Sequence, residues 1–339
     1  MQPVWYVVLA VVTILASVAP AVVYSLVIWW LDRYEKEPWG LLMATFIWGA
    51  APAIILSLMA EFILGIPFYT LLDQAAARLI SGSLVAPVVE EVFKGMAIVL
   101  VFLLFRHEFD GILDGIVYGA LVGFGFAMAE NGLYFLGALL EDGAAVWLTV
   151  IFLRTLVFGL NHGLFSGIVG MGLGYAAVTR SAFWRWLAPP LALGAAIVVH
   201  AVHNLSTSLA GEMGWPILIG LLNDWGGVLV LIVVVMLAWD RERGWIVQEL
   251  ESEVAAGRIS GDEYATAASY TRRVSAQWRA LRRHGPGGAR LVRRFYQLTT
   301  ELAFAKRRLR NDAPDAVAER VISHLSSEIV ALREQLTDG

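Results

Sequence analysis

The stretch LVAPVVEEVFKGMAIVLVFLLF, residues 84–105, decides how the rest of the sequence is read. It is long enough to cross the hydrocarbon core of a bilayer, which takes about 20 predominantly apolar residues. Its first half nevertheless carries Glu90, Glu91 and Lys94. Charges at that depth are costly and usually face the interior of a helix bundle. Six further stretches have the length and composition of spans: 4–31, 39–64, 112–139, 148–178, 186–210 and 216–239. The expected fold is therefore all-α, a polytopic transmembrane helical bundle of about seven spans. Composition agrees, with 58% hydrophobic residues against about 45–50% in soluble domains. Residues 68–80, amphipathic and carrying Asp73 and Arg78, are expected to lie in the membrane interface. The first apolar run starts at Pro3 without a basic leader and is too long for a signal core, so no cleavable signal is expected. There are no cysteines, which excludes disulfides, thiolate catalysis and Cys-ligated metal.

The 29 acidic and 25 basic residues nearly cancel, but their distribution is uneven. Residues 240–339 hold 17 Lys/Arg and 14 Asp/Glu. This divides the chain into a membrane domain, 1–239, and a soluble helical tail, 240–339, expected to be a solvated appendage. In the tail, Ser260 and Glu263 form a capping box at the head of a helix expected to run to Arg283. HGPGG at 284–288 should break the chain, a second helix should reach about residue 310, and a third should start at 312–314. Arg33 and Lys36 follow the first span, Arg106 the third, Arg180 and Arg185 the fifth, Arg241 and Arg243 the seventh. The alternate loops hold Arg78 alone or no Lys/Arg. By the positive-inside rule the N-terminus lies outside and the C-terminus is cytoplasmic.

Four spans carry polar residues that need a reason. In the third, Glu90 and Lys94 are four apart on one helical face, so Lys94 is expected to neutralise Glu90 while Glu91 points about 100° away. The fourth carries Gly119, Gly123, Phe126 and Glu130 along one face, with Asn131 beside them. Small residues there permit close helix approach. The fifth contains Arg154, Asn161, His162 and Ser166, with a stripe of glycines from 159 to 174; the sixth contains His200, His203 and Asn204. In the orientation set by the loop charges, these groups converge at mid-to-outer depth.

Carboxylates and imidazoles without cysteine suit activation of water by a Glu base, with or without a metal. Asn204 and a histidine are placed to donate hydrogen bonds to a developing oxyanion. The same residue types also serve proton- or ion-coupled transporters, or a non-catalytic membrane scaffold. No inverted repeat is recognisable, which favours a hydrolase.

The ordered motifs Glu90–Glu91–x–x–Lys94, Gly125–Phe126–Ala–Met–Ala–Glu130–Asn131, His162–Gly–Leu–Phe–Ser166 and His200–Ala–x–x–Asn204 resemble those of PrsW-type intramembrane proteases. These are distant relatives of the CAAX prenyl endopeptidase and bacteriocin-processing (CPBP) membrane proteases. The loop Asp32–Arg–Tyr–Glu–Lys–Glu37–Pro–Trp also resembles that family's first loop. The resemblance implies proteolysis of a membrane-anchored protein, such as an anti-sigma factor, in a bacterial plasma membrane. The lipid bilayer and that substrate are the implied partners, with no nucleic acid. Carried over, Glu90, Glu91, Glu130, His162 and His200 form the catalytic or metal-binding set, and Asn204 joins the catalytic residues as the oxyanion donor named above. Glu91, Glu130, His162 and His200 are the implied ligands of a divalent metal, zinc, with Lys94, Asn131, Ser166 and His203 in support. His203 departs from an aromatic residue in many relatives, as an extra ligand or a packing substitute.

Overall fold

The computed structural model describes residues 3–311 and 316–337. Thirteen α-helices and no strand are found among them. In order they are α1 (Pro3–Leu31), α2 (Trp39–Trp48), α3 (Ile54–Leu71), α4 (Gln74–Ile80), α5 (Ala86–Leu104), α6 (Ile112–Glu141), α7 (Ala144–Phe152), α8 (Asn161–Val178), α9 (Ala182–Met213), α10 (Ile217–Ala255), α11 (Gly261–Ala267), α12 (Tyr270–Asn311) and α13 (Ala316–Thr337). Three π-helical turns widen the path at Gly49–Ala53, Ser81–Val85 and Leu153–Val157. Six of the helical stretches are long and apolar enough to cross a membrane, and they coincide with six of the seven expected spans. The remaining span forms α5, 19 residues long, whose three charges set it apart from the others by composition. The all-α, polytopic class stands.

Two compact units divide the chain, one of residues 1–32 and 37–235, the other of 33–36 and 236–339. In the first, α6 is the central element. Buried residues make up 78% of its most apolar window, against 11–33% in the other apolar helices. Its enclosure follows from glycines. Gly115, Gly119 and Gly123 recur every four residues, and a Cβ at each would strike the backbone carbonyl of Gly170, Ser166 or His162 on α8. On another face Gly125 meets the Phe46 carbonyl of α2, so backbone contacts backbone on two sides. At its end, Asp142 and Gly143 donate to the Ala138 carbonyl at 3.1 and 3.0 Å. Gly143 takes φ +86°, a left-handed value that a side chain would oppose, and so turns the chain into α7.

The fifth expected span, 148–178, is broken. Helix α7 ends at Phe152, a π-helical turn follows, residues 158–160 leave the helix, and α8 starts afresh at Asn161. Backbone groups freed at membrane depth need partners. Tyr24 Oη donates to the Thr155 carbonyl at 2.6 Å and Trp225 Nε1 to the Val157 carbonyl at 3.1 Å. The expected interfacial piece at 68–80 is also divided. Phe68–Leu71 completes α3, and Asp73 caps α4 by accepting from the Ala75 and Ala76 N–H groups at 3.0 Å each.

The second unit holds the tail. Glu263 N–H donates to Ser260 Oγ at 3.2 Å and Ser260 N–H to Glu263 Oε2 at 2.6 Å, completing the capping box. The helix it opens stops at Ala267 instead of running on to Arg283. Gly285, at φ +67° and ψ −166°, makes the expected break inside 284–288. The expected third start, 312–314, lies outside the described residues; α13 resumes at Ala316. The tail is more than a solvated appendage, because loop residues 33–36 pack into its unit. Arg273 Nη2 donates to the Arg33 carbonyl at 2.6 Å, Thr300 Oγ1 donates to the Tyr34 carbonyl at 3.0 Å, and the Arg33 guanidinium lies 3.4 Å from the Trp239 ring centroid.

Candidate active site

The first unit brings the polar residues of four expected spans into one buried cluster. Helix α5 supplies Glu90, Glu91 and Lys94, α6 supplies Glu130, the head of α8 supplies His162 and Ser166, and α9 supplies His200. Ligand-type atoms of Glu90, Glu91, His162 and His200 all lie within 4.8 Å of one another, and all four residues are buried.

Lys94 is at the centre, fully buried. Its ammonium bonds Glu91, lies 3.5 Å from Glu90 Oε2 and 3.3 Å from His162 Nδ1, and sits 4.5 Å from the Phe126 ring centroid. The expected Lys94–Glu90 pairing is thus the longer of two contacts. Glu91, one residue on, points at the same interior and takes the shorter one. An ammonium only donates, so His162 Nδ1 accepts and the ring proton lies on Nε2. That nitrogen is 2.9 Å from Glu130 Oε2. Glu130 is neutralised in turn by Arg154, which also donates to Asn131 Oδ1 at 2.7 Å and lies 3.9 Å from the Tyr134 ring centroid.

Glu91 is committed on both oxygens. Oε1 takes Lys94 and lies 2.9 Å from His200 Nδ1, while Oε2 accepts from Ser166 Oγ at 3.3 Å. Facing an ionised carboxylate, His200 carries its proton on Nδ1 and keeps a lone pair on Nε2, 3.9 Å from Glu90 Oε2. Phe165 stacks on the His200 ring at 4.5 Å and holds its plane. Glu90 differs from Glu91: its Oε2 is buried and makes no hydrogen bond. Buried polar atoms are rarely left so, and an orphan of this kind calls for a ligand. Two carboxylates and two imidazoles meet here, the donor types that suit a divalent metal such as zinc; His200 Nε2 keeps its lone pair open, and that of His162 Nδ1 faces Lys94.

Two predicted residues stand apart. Asn204 donates to the Gly82 carbonyl at 2.8 Å, in the π-helical turn that leads into α5. His203 faces Asp224 and Asn161 instead of the cluster. Glu130 touches the cluster through His162. Two carboxylates escaped the sequence reading. Glu61 lies on α3, and Asp224 on α10 is almost fully buried. Each is the single ionisable residue of its expected span, and that was the available signal.

Fold and site together define a multi-pass helical membrane protein built around a buried carboxylate–imidazole centre. The family described as PrsW family intramembrane metalloprotease matches residues 37–239. The chain is 33% identical over 178 residues to Protease PrsW of Geobacillus kaustophilus (strain HTA426), covering 50% of this chain and 70% of that protein. With Protease PrsW of Halalkalibacterium halodurans it shares 27% over 190 residues, 56% of this chain and 80% of that one. With Protease PrsW of Bacillus subtilis (strain 168) it shares 31% over 179 residues, 51% and 72%. No solved structure matches it. The chain belongs to the PrsW family of intramembrane metalloproteases. It is accordingly a peptidase, and the family decides between hydrolase and transporter.

Proposed function

We propose that this protein cuts a membrane-anchored protein at a peptide bond in or near the membrane, with Glu90 as the base and zinc held by Glu91, His162 and His200. The contrast between the two adjacent carboxylates carries the proposal. Glu91 has both oxygens engaged, whereas Glu90 Oε2 makes no hydrogen bond and meets Lys94 only at 3.5 Å, so it is the oxygen placed to take a proton from water. The bound metal would supply Lewis-acid polarisation of the scissile carbonyl and make water more acidic. Glu90 then returns its proton to the leaving amine, the usual two-way traffic of a general acid/base. Glu91 fixes the His200 tautomer and leaves its Nε2 lone pair open, and His162 would take the metal through Nδ1 in place of its contact with Lys94. Glu130, held by Arg154, serves as the carboxylate behind His162 that orients its ring, in place of a direct ligand. Asn204, whose amide is spent on Gly82, anchors the approach to α5 instead of polarising the carbonyl. Ring stacking by Phe165 and enclosure by Phe126 keep bulk water from the centre. The basic loops support an external N-terminus and a cytoplasmic C-terminus in a bacterial plasma membrane.

The test compares Glu90→Gln with Glu91→Gln, each reconstituted in liposomes with a single-span substrate. Both keep side-chain volume. Glu90→Gln should retain zinc while turnover falls about 10²–10⁴-fold; Glu91→Gln should lose zinc and turnover together. Parent-like cleavage by Glu90→Gln would reject Glu90 as the base.

A further inference from the structure

A second buried polar chain runs beside the cluster without entering it. It begins at Asp224 on α10, passes through His203 on α9, and ends at Asn161, the first residue of α8; all three are buried. Asp224 Oδ2 lies 2.7 Å from His203 Nδ1, a charge–dipole contact without an in-line hydrogen bond. His203 Nε2 lies 3.2 Å from Asn161 Nδ2. Asn161 Oδ1 accepts the backbone N–H of His162 at 2.7 Å. The donor and acceptor roles follow in sequence. Because Asn161 Oδ1 takes an N–H, its amide nitrogen faces His203, so Nε2 accepts and the ring proton sits on Nδ1, towards Asp224. Asp224 is itself steadied: its Oδ1 accepts from Asn223 Nδ2 at 2.9 Å, and the same amide reaches the Val199 carbonyl of α9 at 2.9 Å.

The chain ends at the break that precedes α8. Helix α8 starts after the break at 158–160, and first-turn N–H groups have no helical acceptor. Leu160, at the cap position, offers no side-chain acceptor. Asn161 therefore does the capping, and Asp224 and His203 hold Asn161. Phe158 and Phe165 pack on the His203 ring at 4.9 and 6.0 Å, and a phenyl group would fill that space equally well. A phenyl group would not orient Asn161. We infer that Asp224, His203 and Asn161 form a positioning relay that fixes the head of α8 and so sets the His162 imidazole against Glu130 and Lys94. This builds on the reading of His162 as a metal ligand but rests on different contacts.

The experiment uses the full-length protein in detergent and in liposomes. His203→Phe keeps the packing and removes both polar ends; His203→Gln restores a donor and an acceptor. Partners behind a metal ligand typically contribute 10–100-fold, so His203→Phe should lower kcat and zinc affinity by about that factor, with KM within about threefold. His203→Gln should recover most of both. The ring-nitrogen NMR signals of His162, identified by their loss in His162→Gln, should move in His203→Phe and return in His203→Gln. Because His203→Phe leaves Asp224 without its partner, the double variant with Asp224→Asn is measured alongside. It should accumulate normally and show the same displaced signals. Unmoved His162 signals in both would overturn the relay, as would equal losses in the Phe and Gln variants that track folded yield. If the parent neither cleaves nor binds zinc, the proposed function fails, while the His162 signals still decide the relay.

Discussion

Replacing Lys94 by methionine should make the stability of this protein depend more strongly on zinc. The ammonium is fully buried and bonds Glu91, with Glu90 at 3.5 Å and His162 Nδ1 at 3.3 Å. Methionine fills a similar volume but removes the positive charge that two buried carboxylates share. Removing one partner of a buried ion pair typically costs about 3–5 kcal/mol, because the other charge stays buried and unpaired. At roughly 2–4 °C per kcal/mol for a unit of this size, the melting temperature should fall by about 6–20 °C. If Glu91, His162 and His200 hold a divalent ion beside Glu90, zinc supplies the missing charge. At 100 times its dissociation constant a ligand adds about 2.7 kcal/mol, enough to recover most of the loss. Lys94→Arg keeps the charge and should be much milder. The assay is thermal unfolding of the full-length protein in detergent, with and without zinc, for parent and both variants. A Lys94→Met melt within about 2 °C of the parent, below the smallest shift expected from a buried-pair loss, would refute the neutralising role. A large loss that zinc leaves untouched would instead refute the ligand set.

Gly123→Leu should abolish accumulation, since its Cβ meets the His162 carbonyl, whereas Gly137→Leu, with open space around its Cβ, should accumulate like the parent; equal yields would refute the close α6–α8 approach. A reporter fused after Arg243 should read cytoplasmic and one within 141–143 external; inversion at both sites would reject the orientation. In the tail, burial alone would raise the pKa of Glu253, but hydrogen bonds from Arg258 and Lys306 outweigh it and hold the carboxylate below its ordinary range. Its contribution is therefore present above about pH 4.3 and is lost as pH falls through the depressed folded value. Acid unfolding of Glu253→Gln should lack that component, and curves superimposing on the parent's would contradict it.

The spans and most of the cluster were legible in the sequence because two independent rules met there. Apolar run length fixed the helices, and the cost of burying charge required Glu90, Glu91, Glu130, His162 and His200 to find one another. The same cost applied to Glu61 and Asp224, but each stood alone in its span with no motif beside it. The expected Lys94–Glu90 pairing is present, but the shorter contact of Lys94 with Glu91 was missed for a different reason. Spacing of three or four makes both glutamates reachable, and the choice depends on which interior neighbours they face, here Ser166 and His200 on other helices. The packing of Arg33 and Tyr34 into the tail was not legible at all, since Arg273 and Thr300 lie about 240 and 266 residues away in sequence.

The break at 158–160, where the sequence reads as one continuous span, is the feature the site needs. An unbroken helix from Ala144 would satisfy every backbone group internally and would carry His162 in its middle, with its N–H bonded to residue 158 and its orientation set by the helix alone. Breaking the helix frees carbonyls at a depth where each unsatisfied group costs several kcal/mol, so a break persists only where neighbours cover it. Tyr24 and Trp225 do so at Thr155 and Val157. Gly159 is what lets Tyr24 reach its carbonyl, because a Cβ there would collide with the tyrosine ring. With the backbone released, the head of α8 is set by Asn161 and the groups behind it, and the His162 ring reaches both Glu130 on α6 and Lys94 on α5. The irregular backbone therefore converts one histidine from a helix-interior residue into a bridge between the two helices that carry the carboxylates.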